Sequence, residues 1–186
     1  PGLCAGCQLR DACPIEDWPA DPTLLPVDVD PQLRSDPDPE ATAGPREATR
    51  TDGPAPEGVW LTAESLGDAD PALAAHPDLP AMFVFDVPLL RRLRLHPRRL
   101  VFLAETLGDL ATRRPLEVWR GDVAATLGTG GPASRPLATT FAPVPGWRSR
   151  AATLPVTEVL PWRWLRRPDG GSLTSFSAWR KRERRR

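Results

Sequence analysis

Cys4, Cys7 and Cys13 form the most compact group of chemically capable residues in the chain, with the spacing Cys-x2-Cys-x5-Cys-Pro. Two thiolates separated by two residues can grip one ion from a tight turn, and a cysteine followed by proline is a frequent end to a run of iron–sulfur ligands. Three cysteines are one ligand short of a tetrahedral site. His76 and His96 lie far along the sequence, so the fourth ligand is expected from sequence before Pro1. An iron–sulfur cluster and zinc are both open on this spacing, as is a set of three reduced thiols without metal. A disulfide framework is not expected, because the count is odd and the N-terminus lacks a secretion signal.

Other chemistry is harder to find. No Ser-His-Asp set and no pair of catalytic carboxylates can be argued from the residues present. Gly128-Thr129-Gly130-Gly131 lacks the Lys-Ser/Thr ending of a phosphate-binding loop. Trp147, Trp162, Trp164 and Trp179 are interleaved with Arg148, Arg150, Arg163, Arg166, Arg167 and Arg180, types that stack on bases and grip phosphates. The stronger reading of these tryptophans is packing against their own domain or a partner domain. Lone His76 and His96 stand beside prolines and read as surface residues.

Charge is unevenly distributed although Lys+Arg and Asp+Glu both total 24. Residues 1–58 hold twelve acidic and four basic residues, a balance of −8, and residues 147–186 hold eleven basic and three acidic, a balance of +8. Such a split suggests an acidic tail or linker at one end and a basic contact surface at the other, with a nucleic acid such as DNA or an acidic neighbour as candidate partners. Arginine is nearly the only basic residue type, Lys181 being the sole lysine, which weakens inference from arginine counts. There is no run of about 18 apolar residues and no signal peptide, so no membrane partner is expected and the protein reads as soluble and cytoplasmic. The abrupt start at Pro1 reads as a processed chain or a piece of a longer one.

These residues must be positioned by an α/β framework. Residues 1–20 form the Cys-containing tail, and residues 21–58 are rich in Pro and Asp with few large apolar residues, the composition of a disordered linker. From Val59 the pattern changes. Val59-Trp60-Leu61, residues 81–85, Leu116-Glu117-Val118-Trp119, residues 137–141 and residues 156–160 read as buried strands. Between them, helical spacing appears near residues 71–75, from Pro97 to about Thr112 with Leu100, Leu103, Ala104, Leu107 and Leu110 on one side, and from Val123 to Leu127. Strands alternating with helices predict a doubly wound, mostly parallel, Rossmann-like sheet over residues 59–179. Residues 180–186 form a basic tail.

Five stretches in order resemble the N-terminal α/β domain of the DNA photolyase/cryptochrome family. They are Val59-Trp60-Leu61 through Asp70-Pro71-Ala72-Leu73, Met82-Phe83-Val84-Phe85-Asp86, Pro97-Arg98-Arg99-Leu100 through Asp109-Leu110, Glu117-Val118-Trp119-Arg120-Gly121-Asp122, and Leu173-Thr174-Ser175-Phe176-Ser177-Ala178-Trp179. The family's arginine pair in the first stretch is replaced by Thr62 and Ala63, and its next strand–helix–strand unit is compressed into residues 128–160.

The resemblance implies an antenna domain of a light-responsive or DNA-repair flavoprotein, not catalytic by itself, that holds a folate, deazaflavin or flavin pigment. Excitation would pass to FAD in a helical domain, upstream or in trans, whose sequence is not found here. The chain thus resembles part of a deoxyribodipyrimidine photolyase, a carbon–carbon lyase, without being expected to repair DNA alone. In a doubly wound sheet, ligands sit at the carboxyl ends of strands where the strand order reverses. That geometry nominates Trp60, Leu61, Glu64, Asp86, Arg120, Gly121 and Asp122 as cofactor-binding residues. Cys13-Pro14-Ile15-Glu16 is similar to the cysteine tail of photolyase-related FAD-binding proteins, which would make residues 1–20 the end of an upstream flavin-binding module. The alternative is a Rossmann-like nucleotide-binding or scaffold module with a metal-binding Cys tail and no photochemistry.

Overall fold

Short apolar runs bounded by Pro, Gly and Asp become the inner strands of one sheet. The computed structural model describes residues 43–93, 95–144 and 146–167. Its strands are β1 (Thr49–Arg50), β2 (Gly58–Leu61), β3 (Ala81–Asp86), β4 (Leu116–Gly121), β5 (Leu137–Thr140) and β6 (Val156–Leu160). The helices are α1 (Pro71–Ala75), α2 (Val87–Leu93), α3 (Pro97–Ala111), α4 (Val123–Leu127) and α5 (Trp147–Ala151). Spatial order is β1-β6-β5-β2-β3-β4, with every pair parallel except β1 with β6. Among the five parallel strands, the first in sequence lies in the middle and the order reverses between β2 and β5. This is the doubly wound arrangement expected, with an antiparallel edge strand added.

Side chains of a strand alternate between faces, so the central strands feed two cores. Val59, Leu61, Ala81 and Phe83 pack with Leu73 of α1 and with Leu103, Leu107 and Leu110 of α3. Trp60, Met82 and Leu137 face the other way and pack with Val123 and Leu127 of α4, Phe141 and Trp147. The 15 residues of α3 follow the predicted helix closely. It begins where His96 Nδ1 accepts the Arg98 N–H at 3.2 Å, and it buries Leu103, Leu107 and Leu110. Ala104 is exposed, because three leucines already cover the sheet at that crossing.

Two helices were hidden from sequence patterning. Val87-Pro88 reads as the end of a strand, yet α2 starts there directly, with Asp86 Oδ1 accepting the Leu89 N–H at 3.1 Å. Proline suits the first turn of a helix, whose N–H groups have no intrahelical partner. The other is α5, a single turn opened by Gly146 at φ 71°.

The linker expected to run through residue 58 is corrected for residues 43–58. Ala43 is buried, β1 pairs with β6, and the Glu57 N–H donates to Pro136 O at 2.8 Å. The segment contributes little apolar surface of its own, and is held by backbone bonds and by side chains from the far end of the domain. Trp164 Nε1 donates to Ala43 O at 2.8 Å, and Arg167 donates to Pro45 O at 2.9 Å and to Gly44 O. That part of the Trp/Arg stretch is therefore structural.

His76 is likewise corrected from a surface residue. Its Nε2 lies 2.9 Å from Glu158 Oε2, whose other oxygen accepts Arg50 Nε at 3.0 Å. Glu158 is 3% exposed, in the middle of β6, so this carboxylate ties the edge strand and the end of α1 to the sheet. A buried carboxylate is tolerated where it is paired and hydrogen-bonded. Replacing Glu158 with Gln is expected to lower unfolding free energy by about 1.5–3 kcal/mol, the range for hydrogen bonds to a charged group. Urea denaturation would measure it, and an unchanged midpoint would refute this role.

Candidate functional site

The carboxyl ends of β2 and β3 open onto a cleft of about 160 Å³. Its floor is Trp60 and Leu61 of β2 with Phe83 and Phe85 of β3, and its walls are Leu89, Leu90 and Leu93 of α2 and Leu103 of α3. Phe83 and Phe85 meet edge to face, with centroids 5.0 Å apart. Polar groups converge on the rim: Thr62 and Glu64 from the loop after β2, Asp86 at the end of β3, Arg99 of α3 and Arg150 of α5. An apolar floor with a few converging polar groups is the usual form of a small-molecule site. The volume is close to that of an engineered 150 Å³ cavity that accepts benzene, so the cleft as it stands takes about one aromatic ring.

Arg150 supplies the cation facing the two carboxylates. Burial draws its guanidinium below the ordinary value, the attraction of Glu64 and then Asp86 works in the opposite direction, and nearby Arg92 adds to the lowering. Arginine stays charged in proteins, so Arg150 is a fixed positive group facing the carboxylates of Glu64 and Asp86. Such a rim can orient a ring bearing both donors and acceptors.

Of the seven residues nominated from sequence, Trp60, Leu61, Glu64 and Asp86 line this cleft. Arg120, Gly121 and Asp122 do not. Arg120 is exposed on the edge strand, and Asp122 caps α4 by accepting the Ala125 N–H at 2.8 Å. Asp122 borders a separate shallow depression shared with Asp86, Arg92 and Arg150. The last three nominations are thus corrected for the main cleft: β4 is one strand too far from it. Cys4, Cys7 and Cys13, with residues 168–186, lie outside the described residues. Among the described residues, no group of three or more His, Cys, Asp or Glu could hold a metal ion, and no helix is long and apolar enough to cross a membrane.

The cleft is displaced by one strand from the point where the order reverses. Between β2 and β5 that place is already filled. Trp60 and Trp147 stack with centroids 6.4 Å apart, and Phe141 meets Trp147 edge to face at 5.0 Å. Gly44, at φ 74°, lies against the Phe141 ring so closely that an added Cβ would fall 2.3 Å from it. Local polar groups are also occupied: Thr139 Oγ1 donates to Trp60 O at 3.0 Å, and Thr140 Oγ1 accepts the Ala72 N–H at 3.0 Å.

The same holds where a nucleotide phosphate would sit in a dinucleotide-binding fold. The turn after β2 is Thr62-Ala63-Glu64-Ser65 without glycine, and Asp70 accepts the Leu73 N–H at 2.9 Å and the Ser65 hydroxyl. An acidic side chain thus occupies the start of α1, where a pyrophosphate needs free N–H groups. Residues missed by sequence reading are chiefly those of α2 and Arg150. Arg150 lies on a one-turn helix whose start depends on a left-handed glycine, and no periodicity announces it.

No family model, no curated protein and no solved structure matches the chain.

The aromatic stack between β2 and β5 and the polar rim of the cleft should respond differently to substitution. Trp147→Ala is expected to cost about 3–5 kcal/mol of stability, because a buried ring leaves a cavity. Arg150→Gln, on the half-exposed rim, should change stability by less than about 0.5 kcal/mol. Guanidinium denaturation of both variants checks the contrast, and comparable losses would contradict it.

Proposed function

We propose that this domain is a photolyase/cryptochrome-type antenna module that holds the edge of an aromatic pigment in the cleft at the ends of β2 and β3. It would work as part of a flavoprotein, alongside an FAD-binding helical domain upstream or in trans, with DNA as a substrate of the assembly rather than of this domain. The observation carrying the reading is that four family-like stretches fall in order on β2 and its loop through α1, on β3, on α3 and on β4 with its turn, and that β2, β3 and α3 line one cleft. The floor of Trp60, Leu61, Phe83 and Phe85 offers a face for a flat ring. Arg150, Glu64 and Asp86 offer charges for a polar ring edge. Because the cleft accommodates about one ring, the rest of a fused-ring pigment would lie across its mouth, against Leu93 and Arg99.

A nucleotide-binding reading is less well supported. A phosphate has no glycine-rich loop to approach, and the start of α1 is capped by Asp70. A chain without pigment would act as a scaffold, and the filled point between β2 and β5 is the feature that favours that reading.

The test is the near-UV and visible spectrum of the purified full chain, followed by titration with a flavin, a deazaflavin and a reduced folate while tryptophan emission is recorded. A pigment at the cleft should quench Trp60. Arg150→Gln or Glu64→Gln should weaken binding about tenfold, corresponding to about 1.4 kcal/mol. A featureless spectrum together with no quenching by any of the three would overturn the pigment reading.

A further inference from the structure

The surface beside the cleft carries apolar residues that the fold leaves uncovered. Val101 is 54% and Phe102 52% exposed on α3, Leu93 is 48% exposed at the end of α2, and Val118 is 49% exposed on β4. Helix α2 and helix α3 both pack against β4. That strand pairs only with β3 and so forms one edge of the sheet. Val118 shares a face with Leu116, which packs into the α3 core, so the period of two places Val118 on the α3 side. Such a grouping of exposed apolar side chains marks an interaction surface more often than a chance scatter does.

A basic rim surrounds it. Arg91, Arg98, Arg99 and Arg120 are exposed on α2, α3 and β4, and none forms an ion pair with a described residue. Arg98 stands one helical turn before Val101 and Phe102, and the Arg99 guanidinium lies 5.2 Å from the Phe102 ring centre. Glu105 is the one acidic residue on the next turn of that face, so the balance is positive. The partner should therefore be acidic and apolar at once, which fits a polypeptide better than a nucleic acid backbone.

The chain contains such a partner. Residues 15–30 carry Glu16, Asp17, Asp21, Asp28 and Asp30 with no basic residue, interspersed with Ile15, Trp18, Leu24, Leu25, Val27 and Val29. Twelve residues, 31–42, separate this segment from Ala43, and extended they reach about 40 Å. Ala43 lies beside Gly44 and the Phe141 ring at the end of β5, three strand spacings or about 14 Å from β4. We propose that residues 15–30 dock intramolecularly on the basic-rimmed apolar surface formed by α2, α3 and β4. The proposal does not depend on what the cleft binds.

Site-specific photocrosslinking in the full chain tests it. With a photoreactive benzophenone amino acid in place of Phe102, and in a second protein in place of Val118, irradiation should give a monomeric crosslink that mass spectrometry maps to residues 15–30. The same group in place of exposed Asp52 should not capture that segment. Joint substitution Asp17→Asn, Asp21→Asn, Asp28→Asn and Asp30→Asn should lower the yield several-fold. So should 1 M salt, where the screening length falls to about 3 Å. Absence of capture of residues 15–30 from both positions, crosslinks joining two copies, capture of nucleic acid instead, or a yield unchanged by the four substitutions would each overturn the proposal.

Discussion

Strand β2 is buried on both faces, and the rest of the structure is arranged around that constraint. All four of its residues are buried, with Val59 and Leu61 on one side and Trp60 on the other. A strand with no exposed face cannot tolerate a one-residue slip, because every side chain would enter the wrong core. Its pairings follow from this: Val59 opposite Ala81 on β3 and opposite Ala138 on β5. Small residues stand beside it on both neighbours at that level, which leaves room for the leucines of α3 on one face. On the opposite face, Trp60 needs a flat partner and finds Trp147.

That second choice determines where a ligand can go. A doubly wound sheet offers its crevice where strand order reverses, and here the tryptophan pair, Phe141 and Gly44 occupy it. The free volume is displaced toward β3, where α2 leaves the strand so directly that its leucines form a wall and not a lid. Arg150 reaches this volume from the other face of the sheet because α5 follows Gly146 immediately. One left-handed glycine thus sets the charge of a rim built mainly by other elements.

The elements that were legible in the sequence are those whose own residues stabilise them. All five parallel strands, α1, α3 and α4 show in apolar runs or helical spacing, and so did the parallel class of the sheet. The elements that were not legible depend on distant partners. β1 has two exposed residues and exists because Arg50 and its backbone meet β6. Residues 43–45 are fixed by Trp164 and Arg167, more than a hundred positions away. The cleft was half legible for the same reason: strand ends point to Trp60, Leu61, Glu64 and Asp86, whereas assigning Arg120, Gly121 and Asp122 required knowing that β4 is the edge and that Asp122 is used as a cap. His76 was misread because its partner, Glu158, sits on a strand whose neighbour was taken for linker.

Arginine content illustrates why composition alone could not separate structure from surface. Arg114 donates to His76 O and Pro77 O, Arg135 forms a two-pronged contact with Glu117, and Arg113 spans Asp68 and Asp109. These, with Arg50 and Arg167, hold loops and edges that apolar packing leaves loose. The guanidinium suits this work because its donors form a planar fork that can meet carbonyls and carboxylates together. Once they are set aside, Arg91, Arg98, Arg99 and Arg120 stand exposed on α2, α3 and β4 without an ion pair to a described residue. A sum over the sequence gives zero net charge. The fold converts that balance into an acidic segment and a basic surface, and attraction between the two then follows from the same residues that cancel in the total.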